Sequence, residues 1–405
     1  PLHHHHRNCR IELFHVPEPV PAGKLRLLPI GYLARISMQQ QDHKQDQRIH
    51  ICIITPSLEC GGSERNVSIL CNGINPEKFR VSLIVINNSR PFYTIDNPAV
   101  ELIDLKLAHV RQSLFRIRSF VRRTKPDIIL SASNHLNLLL AIFRRLFPSG
   151  IPIIARESSV VSVNSKRAKW PMLYEWLLKR YYRSLNLIVC QSEYMQKDLQ
   201  SHYHVPASKT TIIYNALRVP RADNMNQTGN SEANLLTVAR LSPEKGIDRI
   251  IHALALLKRP FIYTVVGDGG ERSKLETLVK SLGLEDRVRF TGSKDHPFNL
   301  NARPDVFLLG SYYEGFPNVV FEAMSLGIPA VAYDCPGGLR EVLVAGKNGF
   351  IAGGQEPADM AASIEKALAH PCNRQRIADE TRERYDAKQA VLQWEKLFHE
   401  YSGNK

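Results

Sequence analysis

From Ile49 onward one unit recurs: a short run of β-branched residues, a turn, then an amphipathic helical stretch. The first run is Ile49 to Pro56, followed by a Gly61-Gly62 turn and a helical segment from Ser63 to about Gly73. Val81 to Ile86 is the next run, and further strands are expected at Asp127 to Ser131, Pro152 to Ala155, Leu187 to Cys190 and Thr211 to Tyr214. Strands alternating with helices imply βαβ units and a parallel sheet, since a parallel pair needs a long crossover and a helix supplies it.

Residues 218–233 interrupt the pattern with Pro, Asn, Gly and Ser and no apolar period, the signature of a linker. A second series follows, with strands expected at Leu235 to Ala239, Phe261 to Val266, Val288 to Thr291, Val306 to Leu309 and Ala330 to Tyr333. The expected organisation is a first domain over 48–217, a second over 234–385, and a last helix at 386–405 with the option of crossing back to the first. Residues 1–47, with four consecutive histidines and no clear period, read as a leader outside the fold, disordered or non-native. Two doubly wound α/β domains place a ligand in the cleft between them, at the carboxyl ends of the strands.

Composition narrows the function classes. No stretch approaches the roughly 18 consecutive apolar residues of a membrane-spanning helix. Seven cysteines, odd in number and without CxxC pairing, suggest reduced thiols rather than a disulfide framework or zinc site. Most of the net charge of +14 sits between Leu105 and Leu185, where 16 Lys and Arg face 3 acids. Such a stretch attracts a phosphate-rich partner: nucleic acid, anionic lipid or a diphosphate substrate.

Three segments at strand ends carry chemistry. In Glu314-Gly315-Phe316-Pro317-Asn318-Val319, a strand runs into a loop and a helix starts near Pro317, a suitable first-turn residue. The amides of Phe316, Asn318 and Val319 would then face the cleft, where a helix start favours an anion. Glu314 could meet a sugar hydroxyl, and Glu322, about one turn in and leaning back, could accept from ribose. A capping Glu314 and a solvated Glu322 fit the same spacing. In Val238-Ala239-Arg240-Leu241-Ser242-Pro243-Glu244-Lys245-Gly246, Arg240 and Lys245 frame one βα loop and could grip a diphosphate. A surface Arg and a helix-start Lys would look alike.

The third segment is the Gly61-Gly62 turn, which lets backbone approach a phosphate or sugar but is neither a Rossmann fingerprint nor a P-loop. Gly267, in Val266-Gly267-Asp268-Gly269-Gly270, ends another strand and could line a base or ribose, or simply make a tight turn. His135, the first-domain histidine at a strand's carboxyl end, is a catalytic candidate that could touch the donor sugar, although a structural role is the ordinary one for a lone histidine.

VARLSPEKG, VVGDGGER, VRFTGS and EGFPNVVFEAMSLGIPAVAYDCPGGLREVL stand in an order and spacing that resembles the retaining glycosyltransferases of family 4, over roughly Ile49 to Ala369. The resemblance implies a GT-B fold, two Rossmann-like domains facing each other across a cleft. It implies that Arg240 and Lys245 bind a donor diphosphate, Glu322 the ribose and Glu314 the transferred sugar, with Gly61 and Gly62 close to the donor. His135 aligns only loosely with a family histidine. No cofactor and no metal is implied, and the sequence has no DxD motif suited to a nucleotide-bound cation.

Within the family, GGSER and the CPGGLRE run look most like enzymes that extend polyprenyl-diphosphate-linked glycans with hexose or N-acetylhexosamine units in bacterial surface polysaccharide or glycoprotein-glycan synthesis. The implied partners are a nucleotide-sugar donor, with UDP expected, a lipid-linked acceptor and an anionic membrane surface, with no nucleic acid. The implied place is the cytoplasmic face of the cytoplasmic membrane, held peripherally. The basic amphipathic stretch Arg111 to Lys125 and the aromatic segment Trp170 to Tyr182 would suit that surface, although a helix packed on the sheet would show the same periodicity. The rival readings are a sugar-nucleotide epimerase on the same fold and a basic nucleic-acid-binding protein.

Overall fold

The computed structural model describes residues 47–222, 232–370 and 372–403. The leader expected at 1–47 falls almost wholly outside the described residues, and so does most of the linker expected at 218–233.

The first half forms β1 (Ile49–Thr55), α1 (Gly62–Gly73), β2 (Phe79–Val85), β3 (Val100–Asp104), α2 (Leu114–Thr124), β4 (Ile128–Ser131), α3 (Asn134–Ile142), β5 (Ile153–Arg156), α4 (Val161–Arg167), α5 (Pro171–Tyr181), β6 (Leu187–Cys190), α6 (Glu193–Tyr203) and β7 (Thr210–Ile212). The second forms β8 (Ala233–Val238), α7 (Ile247–Leu254), β9 (Phe261–Val266), α8 (Arg272–Ser281), β10 (Val288–Phe290), β11 (Val306–Leu309), α9 (Asn318–Ser325), β12 (Ala330–Ala332), α10 (Leu339–Val342), β13 (Gly349–Ile351), α11 (Pro357–Ala369), α12 (Arg374–Arg384) and α13 (Ala387–Ser402).

Among the described residues the strands make two all-parallel sheets, ordered β3-β2-β1-β4-β5-β6-β7 and β10-β9-β8-β11-β12-β13. The chain thus folds as two Rossmann-like domains facing across a cleft. In each sheet the strand order reverses once, between β1 and β4 and between β8 and β11. The loops at the carboxyl ends of those strands diverge to opposite faces and leave a crevice.

Burial follows the parallel-sheet rule: β4, β5, β6, β11 and β12 are buried along their whole length because helices cover both faces. One core of the first domain joins Cys52, Ile54, Ile129 and Ile153 to Leu136 and Leu140 of α3 and to Ile117 and Val121 of α2. The opposite face joins Ile51, Ile53, Val81 and Ile128 to Val67 and Leu70 of α1 and, from the far end of the chain, to Trp394, Leu397 and Phe398 of α13. Asp386 caps α13 by accepting from the Gln389 N–H at 2.9 Å. Leu217 bridges in parallel to Asp386, and its N–H donates to the Tyr385 carbonyl at 2.8 Å. The chain therefore leaves the first domain and returns to it at neighbouring points.

Two strands, β3 and β13, were not among those expected from the sequence. β3 carries Glu101 and Asp104 at a half-exposed sheet edge, and β13 has three residues beginning with glycine, so neither shows a β-branched run. Among the described residues no helix is long and apolar enough to cross a membrane.

Candidate active site

The segments singled out from the sequence meet at the two points where strand order reverses. The β1 loop brings Gly61 and Gly62, and the β4 loop brings His135. The β8 loop brings Arg240 and Lys245, and the β11 loop brings Glu314 through Val319.

In the second domain, Pro243–Lys245 form one turn of 3-10 helix that ends at Gly246, whose φ is +55°. A side chain at Gly246 would strike the Gly310 carbonyl, so glycine lets the β8 loop lie on the end of β11. That approach puts the Lys245 Nζ 2.7 Å from a Glu314 carboxylate oxygen, which also accepts from the Ser311 hydroxyl at 2.6 Å. Arg240 was expected to converge on the same ligand position. It is turned instead to Glu244 at 3.1 Å, with 72% of its side chain exposed. The two cations share a loop but not a direction, Lys245 pairing with Glu314 and Arg240 with Glu244.

The start of α9 differs from the expected geometry. Pro317 precedes the helix rather than opening it, with φ −79° and ψ 75°. This is an inverse γ-turn, and it folds the Asn318 N–H back onto the Phe316 carbonyl at 2.9 Å. One of the three amides expected to face an anion is therefore spent. The Phe316 and Val319 N–H groups meet no acceptor among the described residues. The Phe316 ring is buried against Tyr214, Phe321 and Tyr385, so its contribution to the cleft is backbone only.

Glu322 is buried, and its carboxylate accepts from the Arg65 guanidinium of α1, across the cleft. Burial pushes the Glu322 carboxyl above its ordinary value, and the Arg65 charge and hydrogen bond oppose that rise. The solvated Glu322 that the sequence left open is not what the fold makes.

Gly62 and Gly315 sit where the domains touch. A Cβ on Gly62 would lie 2.5 Å from the Asn318 Nδ2, and one on Gly315 would lie 2.5 Å from the Ser158 carbonyl oxygen and 2.9 Å from the Ser159 Cα. A Cβ on Gly61 would meet only the Glu64 carboxylate, a movable group. At Gly267, φ +140°, an added Cβ would strike the Ala239 carbonyl, which accounts for the glycine without a ligand.

On the first-domain side His135 is exposed in the first turn of α3, its Nδ1 3.5 Å from the Tyr174 hydroxyl. Behind it lies a polar group that the sequence reading missed. Arg156 is buried, donates to the Asn215 Oδ1 at 2.7 Å and to the Ser63 Oγ at 3.3 Å, and is lowered by burial to about 10. Asn215 donates across the cleft to the Asn318 Oδ1 at 2.9 Å. Glu157 accepts on one oxygen from Tyr182 and from Asn137, both at 2.7 Å, while its other oxygen is buried with no partner among the described residues. Burial pushes Glu157 up to about 7. A signal for these residues was present: Arg156-Glu157 is a charged pair closing an apolar strand, and Arg65 follows the Gly61-Gly62 turn within one helical turn.

The model described as Glycosyltransferase Family 4 matches residues 60–219, and the one described as Glycosyl transferases group 1 matches residues 221–384. The chain is a GT-B glycosyltransferase related to family 4. As such it transfers a glycosyl group, and the epimerase reading falls away. It is 25% identical to an uncharacterized glycosyltransferase of Methanocaldococcus jannaschii, over 56% of this chain and 61% of that one. It is also 27% identical to a Campylobacter jejuni diphospho-undecaprenol 4-alpha-N-acetylgalactosaminyltransferase, over 71% of this chain and 81% of the relative. The Anabaena protein HepE, solved with UDP and glucose, superposes with a TM-score of 0.67 over 87% of this glycosyltransferase and 100% of its own chain, at 21% identity. That likeness concerns the fold.

Proposed function

We propose that this glycosyltransferase moves a hexose or N-acetylhexosamine from a UDP-sugar, with retention, to a polyprenyl-diphosphate-linked glycan in bacterial surface-glycan synthesis. The observation that carries the reading is the Lys245–Glu314–Ser311 cluster at the end of β11, opposite the Gly61-Gly62 turn. A nucleotide sugar laid along the crevice would meet Lys245 and Arg240 at its diphosphate, Glu314 at the transferred sugar and Glu322 at the ribose. Lys245 exchanges a carboxylate for a phosphate, one charge-assisted contact for another, and frees Glu314 for sugar hydroxyls. Arg240, paired only with a neighbour on an exposed loop, gives up little to join it. Both cations then offset the negative charge that gathers on the leaving diphosphate. The incoming hydroxyl arrives on the face the diphosphate leaves, which retains configuration.

Support for UDP comes from the HepE complex, and support for the lipid-linked acceptor from the name of the Campylobacter relative. A lipid-linked acceptor calls for a membrane-facing surface, and burial supports the second of the two stretches that the sequence offered. In α2 the face with Leu114, Ile117 and Val121 is buried in the core, and among its large apolar residues Phe115 alone is exposed. The segment around α5 instead exposes Trp170, Met172, Leu173 and Trp176, Met172 at 88%, among Lys169, Lys179 and Arg180. An aromatic and basic face of this kind suits an anionic lipid surface on the cytoplasmic side.

The test is transfer by Lys245→Ala and Arg240→Ala. Each should weaken UDP binding about tenfold, the loss of one charge-assisted contact, and slow transfer to a polyprenyl-diphosphate glycan. Wild-type kinetics from Lys245→Ala would refute the diphosphate assignment. An inverted product anomer would refute retention.

A further inference from the structure

Arg65 is a cation of the first domain that no reading above gives a ligand. It sits in the first turn of α1, after the Gly61-Gly62 turn, and reaches the opposite domain. Its side chain is 16% exposed, a costly place for a guanidinium with unused donors. Arginine carries five N–H groups. Here the Nη1 donates to Glu322, and the Nε is buried with no acceptor among the described residues. The loop beneath is fixed, because the Tyr93 hydroxyl donates to the Gly61 carbonyl at 3.2 Å.

We propose that Arg65 is a donor-binding residue, a third cation on the donor diphosphate, supplied by the first domain and held ready by Glu322. This rests on the reading that Glu322 takes the ribose. A diphosphate joined to a ribose on Glu322 lies next to whatever Glu322 holds. Without a cation between them, a buried carboxylate and a diphosphate would repel each other. Arg65 removes that repulsion: one edge stays on Glu322, and the unused donors turn to a phosphate oxygen as a fork. Arg240 and Lys245 grip the diphosphate from the second domain, so Arg65 makes the donor a tie between the two domains.

The experiment compares UDP with uridine, measuring both affinities in competition for wild type, Arg65→Ala, Arg65→Lys and Glu322→Gln. Only UDP carries the phosphates, so the ratio of the two affinities reads the phosphate contact alone. Arg65→Ala should lower the UDP-to-uridine ratio about tenfold or more, the value of a charge-assisted contact. Arg65→Lys, which keeps the charge and loses the fork, should recover part of it, and it serves alone if the alanine variant does not fold. Glu322→Gln keeps a carbonyl oxygen to hold Arg65, so it should weaken uridine and UDP together and leave the ratio near the wild-type value. A ratio within twofold of wild type in both Arg65 variants would overturn the proposal and leave Arg65 as an interdomain tie only. Unchanged uridine affinity in Glu322→Gln would instead refute the ribose reading, a separate result. If wild type binds neither UDP nor GDP, both fall together.

Discussion

Glu157 offers a measurement that tests the electrostatics of the cleft floor. Its carboxyl is fully buried at the end of β5, with one oxygen accepting from Tyr182 and Asn137 and the other unpartnered. Burial raises it from 4.5 to about 7, against the lowering effects of the Tyr182 and Asn137 hydrogen bonds and the Arg156 charge, while Asp198 adds to the rise. Because the folded value is the higher one, the folded state binds the proton more tightly. The associated stability is complete below about pH 4.5 and is lost as pH rises through about 7. At about 1.4 kcal/mol per unit, the loss is on the order of 3 kcal/mol. Glu157→Gln keeps an acceptor for Tyr182 and Asn137 but has no proton to lose. Thermal unfolding of both proteins from pH 4.5 to 8.5 should show the variant near wild type at the acid end. By pH 8 it should be more stable by roughly 5 °C. Other groups titrate across this range, so the difference between the two curves is the quantity to read. Parallel curves would refute the argument: Glu157 would then stay ionised throughout, and water or a cation would be solvating its free oxygen.

Gly315→Ala places a methyl group 2.5 Å from the Ser158 carbonyl oxygen, so the domains must part to accommodate it. An overpacking cost of about 1–3 kcal/mol on the approached state predicts a fall of about tenfold or more in kcat/KM, with the melting temperature of the second domain unchanged; wild-type kcat/KM would show that this contact is dispensable. Trp170→Ser with Trp176→Ser should release the protein from phosphatidylglycerol-containing vesicles, whereas neutralising Arg118, Arg122 and Arg123 should matter less because α2 spends its apolar face on the core. Release by the arginine variant alone would return the membrane surface to α2.

The architecture was largely legible because parallel strands are covered by helices and so write themselves as apolar runs. β1, β6, β9 and β11 show this, and β3 does not, since an edge strand is free to carry Glu101 and Asp104. The loops bearing Lys245, Glu314 and the paired glycines were legible for a related reason: in this topology, ligand-facing residues must follow strand ends. Pairings were not legible. Nothing in the spacing of Glu322 says that Arg65, 257 residues earlier, holds it, because that contact depends on how two domains approach. The Asn318 amide was misread because Pro317 satisfies a helix start and an inverse γ-turn equally well. The face of α2 stayed open between sheet and lipid because a moment of apolar residues has one direction whichever it meets.

The return of the chain through Asp386 has a consequence for how this enzyme can be cut. α13 supplies Trp394, Leu397 and Phe398 to the face of the first sheet that also holds Ile51 and Phe79. At about 1.5–3 kcal/mol for each large apolar side chain buried, those three outweigh most single features of the fold. In space the second domain is an insertion between β7 and α13, entered and left at the Leu217–Asp386 bridge. A fragment that stops after β7 would carry an open hydrophobic face, while one running from β8 through α12 would take its whole sheet with it. The gene order suggests two halves of equal independence; the wrapped terminus makes one of them a guest of the other.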